Sequence, residues 1–125
     1  MTRVVLDTGA LIALDRADRT ITVLVAEARA TNTTLIVPAG CVAQAWRNPS
    51  RQALLSSFLR LINVEVVPID YAESRRIGLL LAATGSTDIV DAHVAICAHR
   101  MDQTVITSDP EDIKRLGPTL IIRRI

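Results

Sequence analysis

The stretch VVLDTGALIAL, Val4 to Leu14, changes its hydrophobic period in the middle. Up to Asp7 it reads as a strand: RVVLD (3–7) is apolar, β-branched and closed by Thr8-Gly9. Beyond Gly9, ALIALDRAD groups apolar and polar residues as in one or two helical turns, and ITVLVAEARA (21–30) sets Ile21, Leu24, Val25 and Ala28 on one helical face. The alternation then repeats. TLIVP (34–38) predicts a second strand stopped by Pro38, AGCVAQAWR (39–47) a short helix ended by NPS, and RQALLSSFLRLI (51–62) a helix aligning Leu54, Leu55, Phe58, Leu59 and Ile62. VEVVPI (64–69) predicts a strand, YAESRRIGLLLAATG a helix closed at Gly85, and TDIVDAHVAICAHRM (87–101) a helix apolar on nearly every side except its start, the mark of a central, buried helix. TVITSD (104–109) is again a strand, PEDIKRLG a short helix opened by Pro110 and closed by Gly117, and LIIRR (120–124) a last strand. Short strands alternating with helices imply an α/β fold: three layers around a mostly parallel sheet of about four to five strands.

The length of 125 residues fits one domain, expected to span 1–125, and no repeat, low-complexity tract or linker divides it. Half of the residues are hydrophobic, yet the longest apolar runs, such as IGLLLAA (77–83), fall well short of the roughly 20 residues that span a bilayer. No membrane association is expected. The chain passes from Met1 into RVVLD without a signal-like segment, so a cytoplasmic location is expected. Cys41 and Cys97 lie in apolar helical patterns without CxxC spacing, which fits reduced, buried thiols. Net charge is only +1, but thirteen of the fourteen basic residues are arginine, a residue suited to bidentate phosphate contacts and also favoured by a GC-rich genome.

Asp7-Thr8-Gly9-Ala10 matches the tetrapeptide around the catalytic aspartate of retroviral-type aspartic proteases. Those enzymes are nearly all strand, whereas here the tetrapeptide leads into a helix of a helix-rich chain, so that reading is set aside.

In an open α/β sheet, ligands bind outside the carboxyl ends of the strands. Asp7 and Asp109 stand at two such ends, and Asp88 and Asp91 occupy the first turn of the buried helix that precedes the strand carrying Asp109. Their i, i+3 spacing puts Asp88 and Asp91 on one helical face, Cβ atoms about 5–6 Å apart. If the strands bearing Asp7 and Asp109 are neighbours, three or four carboxylates converge with no basic residue close in sequence. Like charges at that range raise one another's pKa values, and a hard divalent cation such as Mg²⁺ or Mn²⁺ resolves the conflict. Each acid also has a plainer reading: Asp88 as a helix cap, Asp91 as a favourable charge in a first helical turn, Asp109 as a turn or N-cap residue before Pro110. Asp7 is the hardest to explain away, because an aspartate after three buried strand residues is costly without a partner. His93 and His99 lack mutual ligand spacing and read as structural or surface residues. Trp46 and Phe58 read as core, and Arg47 and Arg51, flanking NPS, face solvent or a phosphate backbone.

The strand end LDTGALIAL, the helix DIVDAHVAICA and the strand TVITSD before a short helix resemble the first, third and fourth motifs of PIN-domain nucleases, most of all the small prokaryotic toxins of VapC type from toxin–antitoxin modules. The resemblance covers essentially the whole chain in the expected order. It implies metal-dependent hydrolysis of RNA with Mg²⁺ or Mn²⁺, with Asp7, Asp91 and Asp109 as metal-binding acids and Asp88 as an additional member of the site. It also implies a homodimer and a cognate antitoxin whose C-terminal segment fills the groove. At one position the chain departs from the family: the second motif usually presents a glutamate on the helix after the second strand, and in VPAGCVAQAWR the matching residue is Gln44. A glutamine offers a carbonyl oxygen to a metal or water but brings no charge. Setting aside the four aspartates leaves nine acids against fourteen basic residues, so the remaining surface attracts a polyanion. Two rival readings remain: an impaired PIN fold that acts by binding RNA or protein, and a receiver-like phosphotransfer domain. The second is disfavoured because the one lysine, Lys114, lies in a terminal helix rather than at a strand end.

Overall fold

The structure, a computed structural model, describes residues 2–100 and 104–125. Five strands form one sheet: β1 (Arg3–Leu6), β2 (Thr34–Pro38), β3 (Val64–Val67), β4 (Thr104–Thr107) and β5 (Ile121–Arg124). Their spatial order is β3-β2-β1-β4-β5 and every pairing is parallel. Parallel neighbours require crossovers, which the helices supply: α1 (Thr8–Asp15), α2 (Arg19–Ala30), α3 (Ala39–Ala45), α4 (Ala53–Leu59), α5 (Tyr71–Thr84), α6 (Ile89–His99) and α7 (Pro110–Leu116).

Successive strand residues point to opposite faces, so the burial of both Val5 and Leu6, each 1% exposed, means that both faces of β1 are covered. β2 and β4 are buried along most of their length, while β3 and β5 are largely exposed edges. Helix α6 lies against β1, β2 and β4 and carries α5 and α7; α1 packs with α2, α3 and α4. The apolar circumference of α6 foretold in the sequence is realised, with Ala92, His93, Val94, Ala95, Cys97 and Ala98 all buried. Both cysteines are free and buried. No single helix among the described residues is long and apolar enough to cross a membrane.

Several boundaries differ from those expected, each for a local reason. The strand of 3–7 stops at Leu6, because Asp7 caps α1. Likewise the strand expected over 104–109 ends at Thr107, and that over 64–69 at Val67. The helix expected over 87–101 begins at Ile89 with Asp88 as its cap and runs to His99; Met101 lies outside the described residues. The helix of 39–47 ends at Ala45, since Trp46 turns extended and Gln52 draws the following loop inward. The Gln52 carbonyl accepts from Arg47 N–H (2.7 Å) and Asn48 N–H (2.8 Å), and its amide donates to Ala45 O (2.8 Å) and Asp15 Oδ2 (3.2 Å). The expected apolar row on 51–62 is broken. α4 ends at Leu59, tight turns from Leu61 to Phe58 and from Val64 to Leu61 feed the chain into β3, and Ile62 is left 98% exposed with Leu54 half exposed. Gly85 closes α5 as anticipated, at φ 71°, a left-handed conformation that only glycine adopts without strain.

Candidate metal centre at the carboxyl edge of the sheet

From β1 the chain crosses to β2 on one side, while β4 is added on the other, so the carboxyl ends of β1 and β4 bound the crevice at which the strand order reverses. β1 and β4 pair through Val5 with Val105 and Leu6 with Ile106, which brings Asp7 and the Thr107–Asp109 segment to the same edge. The neighbour relation that the sequence reading required is therefore present.

Asp7 is 6% exposed and is the N-cap of α1. Its Oδ1 accepts from the Ala10 N–H at 3.0 Å, and its Oδ2 accepts from the hydroxyl of Thr107. Thr107 is fully buried, and its oxygen in turn accepts the Asp109 N–H at 2.8 Å, so one hydroxyl ties the first and last aspartates together. Burial raises the pKa of Asp7; the hydrogen bonds from Thr107 and Ala10 oppose that, and the charge of Asp109 adds to it. Asp109 stands at the N-terminus of α7 before Pro110 but its side chain makes no cap bond, which leaves the carboxylate available to a ligand.

Asp91, in the first turn of α6, is pushed up to about 7, first by burial and then by the charges of Asp88, Asp112 and Asp7. Asp88 does cap the helix, as its plainer reading held: its Oδ1 accepts the Asp91 N–H at 2.9 Å. Asp88 itself is exposed, and its side chain also bears on the Asp91 carboxyl. Gln44 lies exposed on α3, and its carbonyl oxygen accepts from the Thr8 hydroxyl at 2.6 Å, next in sequence to Asp7.

Two participants were missed by the sequence reading. Asp112 joins Asp88 and Asp91 in a groove of about 360 Å³ lined also by Thr84, Ser86 and Arg115. Its i+3 spacing from Asp109 along PEDIKRLG was the available signal. Arg115 stands 3.9 Å from Asp112, so a basic residue does reach the edge of the acidic group, although no ion pair to Asp7, Asp88, Asp91 or Asp109 occurs among the described residues. Thr107 was hidden for a different reason, because a threonine inside a strand pattern carries no mark of a polar role.

Among the described residues, the only trio of metal-ligating side chains with ligand atoms all within 4.8 Å is Glu73, His93 and Cys97. There Glu73, 3% exposed, already accepts from Arg100 (2.9 and 2.6 Å), from His93 (2.8 Å) and from Arg76 (3.2 Å). Burial alone would raise its pKa, but these donors lower it to about 2. This is a buried ion-pair network joining α5 to α6, and it gives His93 the structural role expected of it. The aspartates at the sheet edge form instead a wider arc. That spacing suits a hard cation that keeps several waters and takes only one or two carboxylates directly. The donor set, all oxygen, fits Mg²⁺ or Mn²⁺ rather than a thiophilic metal, and the raised carboxyls of Asp7 and Asp91 are those a cation relieves.

The PIN domain family model matches residues 4–117. No curated protein matches the chain. Among solved structures, the chain is similar to VapBC2 from Rickettsia felis bound to a DNA fragment from their promoter, with a TM-score of 0.69 and 19% identity over 99% of each chain. A likeness at that identity speaks to the fold, and the family match, covering most of the chain, speaks to descent: the chain belongs to the PIN-domain family.

Proposed function

We propose that this chain is a metal-dependent endoribonuclease of VapC type, a toxin that hydrolyses RNA phosphodiester bonds and is held inactive by a cognate antitoxin. The observation that carries the reading is the set of aspartates at the switch point of the sheet, two of them with raised pKa values and none of the four predicted acids neutralised by a protein cation among the described residues. Asp7, Asp91 and Asp109 would hold Mg²⁺ or Mn²⁺, with Asp88 beside them. When bound, such an ion lowers the pKa of a water and neutralises charge developing on the phosphate. The chain's own part is to place and shield these acids: Thr107 fixes Asp7 relative to Asp109, and one of the three, or Asp88 beside them, takes the proton of the attacking water.

Residues 1–125 act as one unit in the cytoplasm. The exposed apolar side chains of Tyr71 and Leu79 on α5 support a homodimer, and the likeness to a VapBC assembly supports an antitoxin partner. A second reading, a PIN fold that binds RNA or protein without cutting, is favoured by Gln44 in place of a carboxylate.

Cleavage of total RNA by the purified chain, freed of any partner, decides between them when run with Mg²⁺, with Mn²⁺ and with EDTA beside an Asp7→Asn/Asp91→Asn variant. Discrete products that vanish with EDTA and in the variant are expected. Intact RNA under both metals, together with retained RNA affinity, would replace the nuclease by the binding module.

A further inference from the structure

Two crevices lead away from the aspartates, and their charges differ. On the side of α6 and α7 the walls carry Asp88, Asp91 and Asp112, and Arg115, the cation lining that crevice, already faces Asp112 at 3.9 Å. On the side of α1 a wider groove, of about 480 Å³, is lined by Gly9, Ile12, Ala13 and Arg16, with Ser108 and Ile125 opposite. The four helix residues follow the i, i+3, i+4, i+7 spacing of one face, the one that buried Ala10, Leu11 and Leu14 leave free. The two ends of this groove are chemically unlike. At one end Gly9 adjoins the acids: a Cβ there would stand 3.4 Å from Asp7 Oδ1 and inside the Ser108 side chain, so the glycine lets Ser108 sit against the backbone of α1 beside that carboxylate. Ser108 is exposed, and its hydroxyl makes no hydrogen bond among the described residues. At the other end, about 10 Å further along the helix, Arg16 is exposed, its guanidinium without ion pair or hydrogen bond among the described residues. Asp18 also lines this end, but its Oδ1 accepts from the Thr20 N–H at 2.9 Å and the Ile21 N–H at 3.5 Å, so its charge is turned to the N-terminus of α2. Between the ends Ile12, 37% exposed, offers an apolar surface.

We infer that the α1 groove is a subsite for single-stranded RNA, taking the nucleotide next to the scissile phosphate: the base lies on Ile12, and the phosphate beyond it meets Arg16. The inference rests on the nuclease reading above and deepens it by giving the strand a path. A phosphate drawn to the acidic edge leaves the rest of the strand to run one way or the other. The crevice between α6 and α7 holds three carboxylates that repel a polyanion, whereas the α1 groove holds an unanswered arginine, whose planar fork fits two phosphate oxygens. The span of about 10 Å from Gly9 to Arg16, in a groove whose volume lies in the range of small-ligand sites, suits one nucleotide.

The test measures binding apart from cleavage. In EDTA, the affinity of the full chain for a labelled single-stranded RNA oligonucleotide is followed by anisotropy over a series of salt concentrations, for the wild type, Arg16→Gln, Ile12→Ser and Arg29→Gln. Arg29, exposed in the last turn of α2 and outside the groove, is the control of equal charge. Arg16→Gln is expected to weaken binding roughly tenfold, the loss of a charge-assisted phosphate contact, and to reduce the slope of log affinity against log salt by about 0.7. Arg29→Gln should do neither. Ile12→Ser should weaken binding about threefold at an unchanged slope, and the deficit should vanish with an abasic oligonucleotide. The Arg16 Nε–H resonance, assigned by its absence from Arg16→Gln, should shift on adding RNA. Affinity and slope unchanged in Arg16→Gln, or equal losses in Arg16→Gln and Arg29→Gln, overturn the inference and return the groove to solvent or a protein partner; cleavage by the wild type with Mg²⁺ then leaves the nuclease reading standing. Losses confined to Arg16→Gln and Ile12→Ser, in a chain that cuts under neither Mg²⁺ nor Mn²⁺, keep the subsite and remove the nuclease. A wild-type chain that binds no RNA overturns both.

Discussion

Asp91 offers the sharpest test of how the acidic edge is built. Its carboxyl is pushed from 3.8 to about 7, by burial first and then by Asp88, Asp112 and Asp7. At about 1.36 kcal/mol per unit, a shift of that size corresponds to about 4 kcal/mol, and solvent screening of a half-buried carboxyl reduces it to about 2 kcal/mol. The sign follows from linkage. Between pH 3.8 and about 7 the folded chain keeps the Asp91 proton while the unfolded chain has lost it, so stability falls as pH rises, and the full penalty is present above about 7. Asp91→Asn keeps the shape and removes the charge. In EDTA near pH 8.5, urea unfolding should therefore show the variant more stable than the wild type by about 2 kcal/mol, an advantage that fades as pH falls towards about 4. Adding Mg²⁺ should close the gap by stabilising only the wild type. An Asn variant no more stable than the wild type at alkaline pH, or an advantage independent of pH, would refute the claim that this carboxylate is held against its own charge.

The Glu73 network should behave in the opposite sense. Its carboxyl lies lowered from 4.5 to about 2, so the stabilisation is complete above about 4.5 and is lost as pH falls through about 2; Glu73→Gln should cost about 2–3 kcal/mol at neutral pH in chemical denaturation, with the difference shrinking in acid. Thr107→Val strips the hydroxyl shared by Asp7 and the Asp109 amide, and is expected to cost about 1–3 kcal/mol and to weaken Mn²⁺ binding measured by calorimetry; unchanged affinity would mean that Thr107 does not position the acids. A Cβ on Gly9 would stand 1.9 Å from Ser108 Oγ and 2.9 Å from Ser108 Cβ, so Gly9→Ala should destabilise the fold by about 1–3 kcal/mol, and Ser108→Gly in the same chain should restore most of the loss in thermal denaturation.

Much of this architecture is written in hydrophobic period, because period reports burial directly. The five strands and the buried helix α6 follow from it, whereas the neighbourhood of Asp7 and Asp109 was only a condition of the sequence reading, since period does not encode strand order, and the pairing of β1 with β4 supplies it. Period fails where the chain must turn. Ile62 continues the spacing of α4 perfectly and ends in solvent, because the turn of Arg60–Asn63 into β3 is set by backbone hydrogen bonds that leave no mark on side-chain type. The site was legible where charge stands against an apolar background, as at Asp7. It was illegible at Thr107, whose hydroxyl is silent in sequence, and only faintly marked at Asp112, where the i+3 spacing from Asp109 gives no hint that its charge bears on Asp91 of α6. The double role of Asp88, cap and neighbour of Asp91, was open in the sequence; the hydrogen bond establishes the first role.

The central position of β1 has a consequence for the order in which the acidic edge is assembled. β1 precedes the other four strands of the sheet in the chain, yet one of its edges stays open until β4 follows, and the hydroxyl that secures Asp7 lies 100 residues further along. A ribosome that has delivered β1, β2 and β3 has produced three of the five strands and, of the four aspartates Asp7, Asp88, Asp91 and Asp109, only the first. Contacts of such long range are also the slowest to close. The strand order thus works as a timer: the acidic edge is completed only once β4 and the Thr107–Asp109 segment have joined the strands before them.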